Sequence, residues 1–85
     1  MSKTLFVGNL SFGLTDEDLE KAFAEFGTVT SARIIRDRET RRSKGFGFVE
    51  MEDDAAGDAA IAKMEGAELD GRPIRVNEER PREES

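Results

Sequence analysis

The chain has 85 residues, of which 36% are hydrophobic and 38% are charged, and its formal net charge is −6. This length allows one small domain with a single core. Cysteine and histidine are both absent, which excludes disulfides, thiolate zinc sites, thiol nucleophiles and imidazole bases.

The first half of the chain predicts a strand, a helix and a second strand. Residues 4–10 alternate apolar and other side chains, as a half-buried strand does. Thr15 begins a capping-box-like helix start. Apolar residues then recur at the spacing of one helix face, namely Leu19, Ala22, Phe23 and Phe26. Gly27 ends this helix, and residues 29–36 predict the second strand.

The second half of the chain predicts a strand, a helix and a strand again. A polar connection leads into the third strand, which covers residues 44–51. Asp53 or Asp54 can cap a second helix that runs to about Met64. A turn follows, and residues 73–78 form the last strand.

The order β-α-β-β-α-β predicts an α+β ferredoxin-like sandwich, with a four-stranded antiparallel sheet and two helices on one face. Both helices can bury their apolar sides only by packing on the same face of the sheet. Residues 1–78 form this domain, and residues 79–85 are expected to be a polar, flexible tail. The strands contribute to the core Leu5, Val7, Ala32, Ile34, Val49, Met51, Ile74 and Val76.

The opposite face of the predicted sheet has no layer to cover it. Strand alternation assigns to it Phe6, Arg33, Ile35, Phe46, Phe48, Glu50, Arg75 and Asn77. The other register would bury Glu50 and expose Val49 and Met51, which disfavours it. Gly45 and Gly47 either let a ligand approach the strand or allow close packing of a helix. Three rings on a bare sheet form an apolar patch, which usually marks a binding site.

Charge is segregated along the chain. Residues 33–44 carry six basic and two acidic side chains, whereas residues 16–25 carry five acidic and one basic, and residues 50–58 carry five acidic and none basic. The acidic stretches fall on or beside the predicted helices, behind the sheet. The sheet and its connection can therefore attract an anionic ligand despite the negative net charge.

Two short motifs resemble those of the RNA recognition motif family, LFVGNL at residues 5–10 and KGFGFVEM at residues 44–51. The family's longer motif reads basic, Gly, Phe or Tyr, Gly or Ala, Phe, Val, any residue, Phe or Tyr. Residues Lys44 through Val49 match the first six positions of this motif. Met51 stands where the family has its last aromatic residue, and strand alternation points Met51 toward the core. The resemblance covers residues 3–78 and is closest in kind to the small, free-standing bacterial members.

The resemblance implies a non-catalytic module that binds single-stranded RNA and serves post-transcriptional regulation or RNA chaperoning. Phe6 and Phe48 would each stack on a base, and Phe46 would contact sugars. It also implies phosphate or base-edge contacts from Lys44, Arg33, Asn9, Arg75, Asn77, Arg41 and Arg42. Many relatives have glycine where Arg41 stands, so the geometry of this loop is expected to differ. Asn9 could instead bond to local backbone.

Other functions stay open at this point. Single-stranded DNA competes as a ligand because base stacking does not read the 2′-hydroxyl, and a protein-interaction module could use the sheet or the acidic helical face. An enzyme on the same fold is disfavoured by the missing histidine and cysteine. We expect a monomer without cofactor, metal or membrane span. We also expect a cytoplasmic location, or a nuclear one if the chain is a fragment of a eukaryotic protein.

Overall fold

A computed structural model of the chain describes residues 2–79. The elements within this range are β1 Lys3–Gly8, α1 Asp16–Ala24, β2 Val29–Arg36, β3 Ser43–Met51, α2 Asp54–Met64, β4 Glu68–Leu69, β5 Arg72–Pro73 and β6 Arg75–Glu79. The order β2-β3-β1-β6 makes one antiparallel sheet, while β4 and β5 pair separately. Both helices pack on the sheet. The predicted ferredoxin-like α+β sandwich is confirmed.

Helix α1 begins as the capping-box pattern predicts. The Thr15 hydroxyl accepts a hydrogen bond from the Asp18 backbone N–H at 3.1 Å, and the Asp18 carboxylate accepts one from the Thr15 N–H at 3.2 Å. The helix ends at Ala24, so Phe26 lies beyond the regular helix although it is partly buried against the core. The apolar spacing therefore predicted the correct inward positions but a helix two residues too long.

The core lies between the helices and one face of the sheet. Leu5, Val7, Val49 and Met51 of the two central strands are completely buried there. Phe23 is the largest fully buried side chain of the helical layer. The β1–α1 connection adds two buried residues that the strand and helix patterns did not predict, Leu10 and Leu14. The loop between β1 and α1 is thus fastened to the core at two points.

The last third of the chain differs in detail from the prediction. The predicted turn connects β4 and β5, which pair as a two-strand hairpin. Each of these strands is too short for sequence alternation to reveal it. The final strand consequently begins at Arg75 rather than at residue 73, and it includes Glu79. Helix α2 has Asp53 at its N-cap position, but the Asp53 side chain makes no capping hydrogen bond. The predicted tail lies, from residue 80 on, outside the described range.

Candidate nucleic-acid interface

Three phenylalanine rings form a cluster on the sheet face that the helices leave open. The ring centroids of Phe6 and Phe46 are 5.7 Å apart, those of Phe6 and Phe48 are 5.8 Å apart, and those of Phe46 and Phe48 are 6.4 Å apart. These are ordinary distances for interacting aromatic pairs. All three side chains stay partly exposed, while their strand neighbours Leu5, Val7 and Val49 are buried. The rings therefore hold each other in place and still present surface to a ligand.

One cross-strand row brings together four of the predicted site residues. Arg33 lies opposite Phe48, Phe48 lies opposite Phe6, and Phe6 lies opposite Asn77 in the strand registers. Neighbouring strands are about 4.8 Å apart, so the row extends over roughly 14 Å. Arg33 and Asn77 are both exposed. Two apolar ring faces are thus flanked by a cation on one side and a carboxamide on the other.

A second row places Phe46 opposite Gly8 and Gly8 opposite Arg75. The Arg75 Nε donates a hydrogen bond to a Glu65 carboxylate oxygen at 3.2 Å, and the other Glu65 oxygen accepts from the Val76 N–H at 2.6 Å. This contact holds the guanidinium group of Arg75 through its Nε, and the side chain is still 68% exposed. Its two terminal guanidinium nitrogens make no hydrogen bond within residues 2–79 and can reach a ligand.

Asn9 is placed differently from the other predicted residues. Its side-chain amide donates to the Pro73 carbonyl at 2.6 Å, and its side-chain oxygen accepts from an Arg72 guanidinium nitrogen at 3.1 Å. Asn9 also has a positive φ of 59°, a conformation that asparagine tolerates better than most residues. In this structure, the Asn9 side chain links the end of β1 to β5, which uses one of its two amide hydrogens and one of its two acceptor sites.

The predicted basic residues of the β2–β3 connection gather at one end of the sheet. Arg41 and Arg42 line a cleft together with Arg36, Ser43 and Phe12. The three guanidinium groups form no ion pair or hydrogen bond with any residue between 2 and 79. This end of the sheet therefore concentrates positive charge that no side chain between residues 2 and 79 pairs with.

The turn that carries these arginines is ordered by Asp37. The Asp37 carboxylate accepts hydrogen bonds from the backbone N–H groups of Glu39 at 2.8 Å and Thr40 at 3.1 Å. The bonds from Thr40 and Glu39 hold the pKa of the Asp37 carboxyl below its ordinary value of 3.8, and the charge of Lys44 acts in the same direction. Lys44 thus lies in the field of Asp37 at the start of β3, where it remains exposed.

The structure also shows residues that the sequence patterns did not assign to a site. Phe12, in the β1–α1 connection, is 67% exposed and belongs to the arginine cleft. Glu65, just after α2, organises Arg75. An aromatic residue in the connection between the predicted first strand and first helix was the available signal for Phe12. Nothing in the sequence distinguished Glu65 from the other acidic residues of the helical layer.

Between residues 2 and 79, no group of three or more His, Cys, Asp or Glu side chains is arranged to hold a metal ion. None of the helices in the same range is both long enough and apolar enough to cross a membrane.

The fold and the open face together define a ferredoxin-like domain that presents clustered aromatic rings and cations on an uncovered sheet. The chain matches the family model described as RNA recognition motif over residues 5–75. That match covers most of the 85 residues. The chain therefore belongs to the RNA recognition motif family, as the two motifs predicted.

Individual relatives agree with this assignment. The chain is 56% identical over 81 residues to a protein of Nostoc sp. named RNA-binding protein RbpE, covering 95% of this chain and 82% of that protein. It is 57% identical over 77 residues to the mitochondrial glycine-rich RNA-binding protein 2 of Arabidopsis thaliana, covering 91% of this chain but 49% of the plant protein.

Solved structures show the same fold. The crystal structure of RNA binding protein PG1 is similar with a TM-score of 0.90 and 46% identity, covering 96% of this chain and 99% of that chain. The first two RRM domains of yeast poly(U) binding protein Pub1 give a TM-score of 0.89 and 35% identity, covering 94% of this chain and 48% of the yeast chain.

Proposed function

We propose that this protein binds single-stranded RNA on the open face of its sheet and does so without catalysis. The observation that carries the proposal is the cluster of Phe6, Phe46 and Phe48 on an uncovered face, with centroids 5.7 to 6.4 Å apart. Unpaired bases can stack on such rings, and each stack contributes roughly 1–3 kcal/mol. Relatives from bacteria and plants that carry the name RNA-binding protein support the same ligand.

In this proposal, the rings and the polar groups contact different parts of the RNA. Phe6 and Phe48 lie directly opposite each other, so two bases can stack side by side on the central strands. Phe46 lies beside both rings and contacts the sugars. Arg33, Asn77 and the free end of Arg75 lie at the edges of the cluster, where they reach phosphates or base edges. Lys44, Arg41 and Arg42 attract the backbone further along. Asn9 contributes by positioning the end of β1.

The protein acts as a monomer in this proposal, because one domain already carries the complete ring cluster. One such module contacts few nucleotides, so we infer modest sequence specificity and a role in post-transcriptional regulation or RNA chaperoning. A cytoplasmic location fits the bacterial relative at 56% identity, whereas the plant relative is named as mitochondrial.

The test is an NMR titration with a single-stranded RNA of about eight nucleotides, the scale of one small single-strand site. We expect amide shifts in residues 5–9, 44–50 and 74–78. The double variant Phe46→Ala/Phe48→Ala should weaken binding at least about tenfold, because two stacking surfaces are lost, and its amide spectrum should show that it stays folded. Lys63→Gln, an exposed cation on α2, is the matched control and should bind like the wild type.

Two outcomes would change the proposal. Equal affinity for the DNA octamer of the same sequence would make single-stranded nucleic acid, not RNA, the ligand class. Binding of neither nucleic acid at low salt would exclude the sheet as a nucleic-acid site. A basic protein that docks on the acidic helical face would then be the partner to seek.

A further inference from the structure

Glu50 places a negative charge on the face that is proposed to bind RNA. It follows Phe48 by two residues on β3, so both side chains point to the open side of the sheet. Glu50 is half-buried, and its carboxylate forms no ion pair or hydrogen bond with any residue between 2 and 79. The family motif accepts any residue at this position, so the motif assigns Glu50 no role. A partly desolvated charge without a partner is favourable only when a ligand donates hydrogen bonds to it.

A small pocket opens on the sheet beside Glu50. It has a volume of about 280 Å³ and is lined by Thr4, Ser31, Arg33, Ile35, Phe48 and Glu50. The pairing of β2 with β3 shifts register between Val29 and Ser31, so Thr30 has no partner position on β3. The Thr30 hydroxyl donates instead to the Glu50 carbonyl at 3.1 Å. Irregularities of this kind redirect neighbouring side chains, and here the irregularity lies at the Glu50 wall of the pocket.

The two charged groups of the pocket have opposite hydrogen-bonding capacities. The Glu50 carboxylate only accepts hydrogen bonds and has two oxygens to do so, whereas the Arg33 guanidinium only donates. Arg33 lies directly opposite Phe48, and it is a diagonal neighbour of Glu50, a relation that separates residues by about 7–8 Å. No ion pair joins the two side chains. A base that stacks on Phe48 can therefore meet a free donor and a free acceptor at its edge.

Guanine fits this pair of groups better than the other three bases of RNA. Its Watson–Crick edge, which a single strand exposes, has two adjacent donors, the N1–H and the N2 amino group, next to the O6 acceptor. The two oxygens of Glu50 can accept from both donors, while Arg33 donates to O6 or N7. Adenine and cytosine present an amino group beside an unprotonated ring nitrogen, and uracil presents one N–H between two carbonyl oxygens. Each of these three bases would therefore turn a lone pair toward the carboxylate.

We propose that Glu50 and Arg33 select guanine for the base that stacks on Phe48. This inference rests on the proposed function, because it names the base at one position of the RNA bound on the sheet. The charge of Glu50 also repels phosphate, so the edge of the base and not the RNA backbone enters the pocket. Glu50 is in this way a specificity-determining residue, and the stacking rings supply the affinity.

The test compares octauridine with uridine octamers that carry one guanosine, moved through every position. We expect the wild type to bind the best guanosine octamer about tenfold more tightly than octauridine, the order of one bidentate base contact. Glu50→Ala should lose most of this ratio, because both acceptor oxygens are gone. The ratio is the quantity to follow, since loss of a negative charge strengthens the binding of every octamer. Glu52→Ala makes the same charge change outside the pocket and should keep the ratio.

Inosine in place of the guanosine tests the contact directly, because inosine lacks only the N2 amino group. The wild type should lose about three- to tenfold in affinity on this change, and Glu50→Ala should lose nothing further. The inference is overturned if the wild type binds the guanosine and inosine octamers equally, or if Glu50→Ala loses as much as the wild type. Equal affinity for octauridine and every guanosine octamer would also overturn it and leave the proposed function intact. Binding of no octamer at low salt would overturn both.

Discussion

Gly47 is required by the neighbouring strand and not by the ligand. A Cβ atom at this position would lie 2.3 Å from the Arg33 carbonyl oxygen and 2.9 Å from the Ile34 Cα atom. Both are backbone atoms of β2, which cannot move aside without disturbing its pairing with β3. We therefore expect Gly47→Ala to lower the free energy of unfolding by about 2–4 kcal/mol, measured by urea denaturation.

Gly13 provides the control for Gly47. A Cβ atom built on Gly13 meets nothing within 4 Å, and its φ lies outside the positive region. Gly13→Ala should therefore stay within about 0.5 kcal/mol of the wild type. If Gly47→Ala were equally well tolerated, β2 would be able to move away from β3 at this position with little loss of stability.

Arg41 combines an unfavourable backbone conformation with a useful charge. Its φ is +63°, which costs a residue with a Cβ atom about 1–2 kcal/mol relative to glycine. Glycine in turn gives the unfolded chain more freedom, which offsets part of the gain. We expect Arg41→Gly to raise the free energy of unfolding by up to about 1 kcal/mol while it weakens RNA binding, measured by urea denaturation and by titration of the octamer.

Arg38→Gly is the matched variant for Arg41. It removes the same charge from the same connection, at a residue whose φ is not positive. It should therefore leave stability unchanged or lower it slightly. A stabilised Arg38→Gly would show that removing positive charge, and not relief of backbone strain, explains the effect at Arg41.

At single residues, the sequence predicted which positions are unusual but not the contacts that make them so. The resemblance predicted a different loop geometry because many relatives have glycine at position 41. Arg41 has a positive φ, a conformation that favours glycine. For Gly47 the sequence left two explanations open, the approach of a ligand or the close packing of a helix, whereas the close neighbour is the backbone of β2. Cross-strand distances depend on register, which a single sequence does not contain.

At the scale of elements, Asp16 connects the start of α1 to β2. Its carboxylate accepts a hydrogen bond from the Ile34 backbone N–H at 2.8 Å, in a strand whose pairing is irregular between Ile34 and Arg36. Asp16→Ala leaves this partly buried N–H without its acceptor, which should cost about 1–3 kcal/mol of unfolding free energy. Asp16→Asn keeps an oxygen acceptor and should cost less, as urea denaturation can show.

Glu17 is the control for this element contact. It lies in the same first turn of α1 and is exposed, so Glu17→Ala should lose only about 0.3–1 kcal/mol from the interaction with the helix dipole. If Asp16→Asn and Asp16→Ala were equally destabilised, the charge of Asp16 and not its acceptor oxygen would be the important feature.

The β2–β3 turn should loosen in acid. Because hydrogen bonds from the Thr40 and Glu39 N–H groups lower the pKa of Asp37 from 3.8, the carboxylate stabilises the folded turn at every pH above 3.8. That stabilisation is lost as the pH falls below 3.8 through the lowered value. The Glu39 and Thr40 amide shifts should therefore titrate with a midpoint below 3.8. Asp37→Asn should abolish this titration, and a midpoint at or above 3.8 would contradict it.

The regular elements were predictable because apolar spacing and caps are local properties. The predicted range of β2 matches the structure, and α1 starts after its Thr15 cap as expected. The β4–β5 hairpin was not predictable, because strands of two residues have no alternation to recognise. Leu10 was missed as a core residue because the predicted strand of residues 4–10 runs past Gly8, where β1 ends, and alternation fails beyond that point. Leu14 was missed because it lies in a loop, which has no period to identify its face.

At the scale of the whole molecule, the topology separates the two signs of charge. Exposed acids such as Glu20 and Glu25 belong to the helical layer, whereas Arg33, Arg41 and Arg42 belong to the open face and its hairpin. Within the described part of the chain, these three arginines form no ion pair. The sequence predicted this separation, because the charge runs coincide with whole elements. It could not predict which cations remain free, since the pairing of Arg75 with Glu65 depends on tertiary contacts.

Because the helical layer and the open face lie far apart, the repulsion between the acidic helices and RNA bound on the sheet depends on the salt concentration. The smallest dimension of the molecule is 19 Å, which lies between the Debye lengths of about 10 Å at 0.1 M salt and about 30 Å at 0.01 M. Glu20→Gln/Glu25→Gln changes the net charge from −6 to −4 without touching the sheet. We expect RNA affinity to rise about two- to threefold at 0.01 M salt and to stay unchanged at 0.1 M.

Lys44→Gln supplies the comparison on the opposite face, because Lys44 is exposed at the start of β3, next to the ring cluster. Its loss should weaken binding at both salt concentrations, since a cation in contact with a phosphate is screened far less than one acting across the molecule. If the Glu20→Gln/Glu25→Gln variant gained affinity equally at 0.01 M and 0.1 M salt, the RNA would have to pass close to α1. The helical layer would then belong to the binding surface, and the separation of charge would describe two parts of one site.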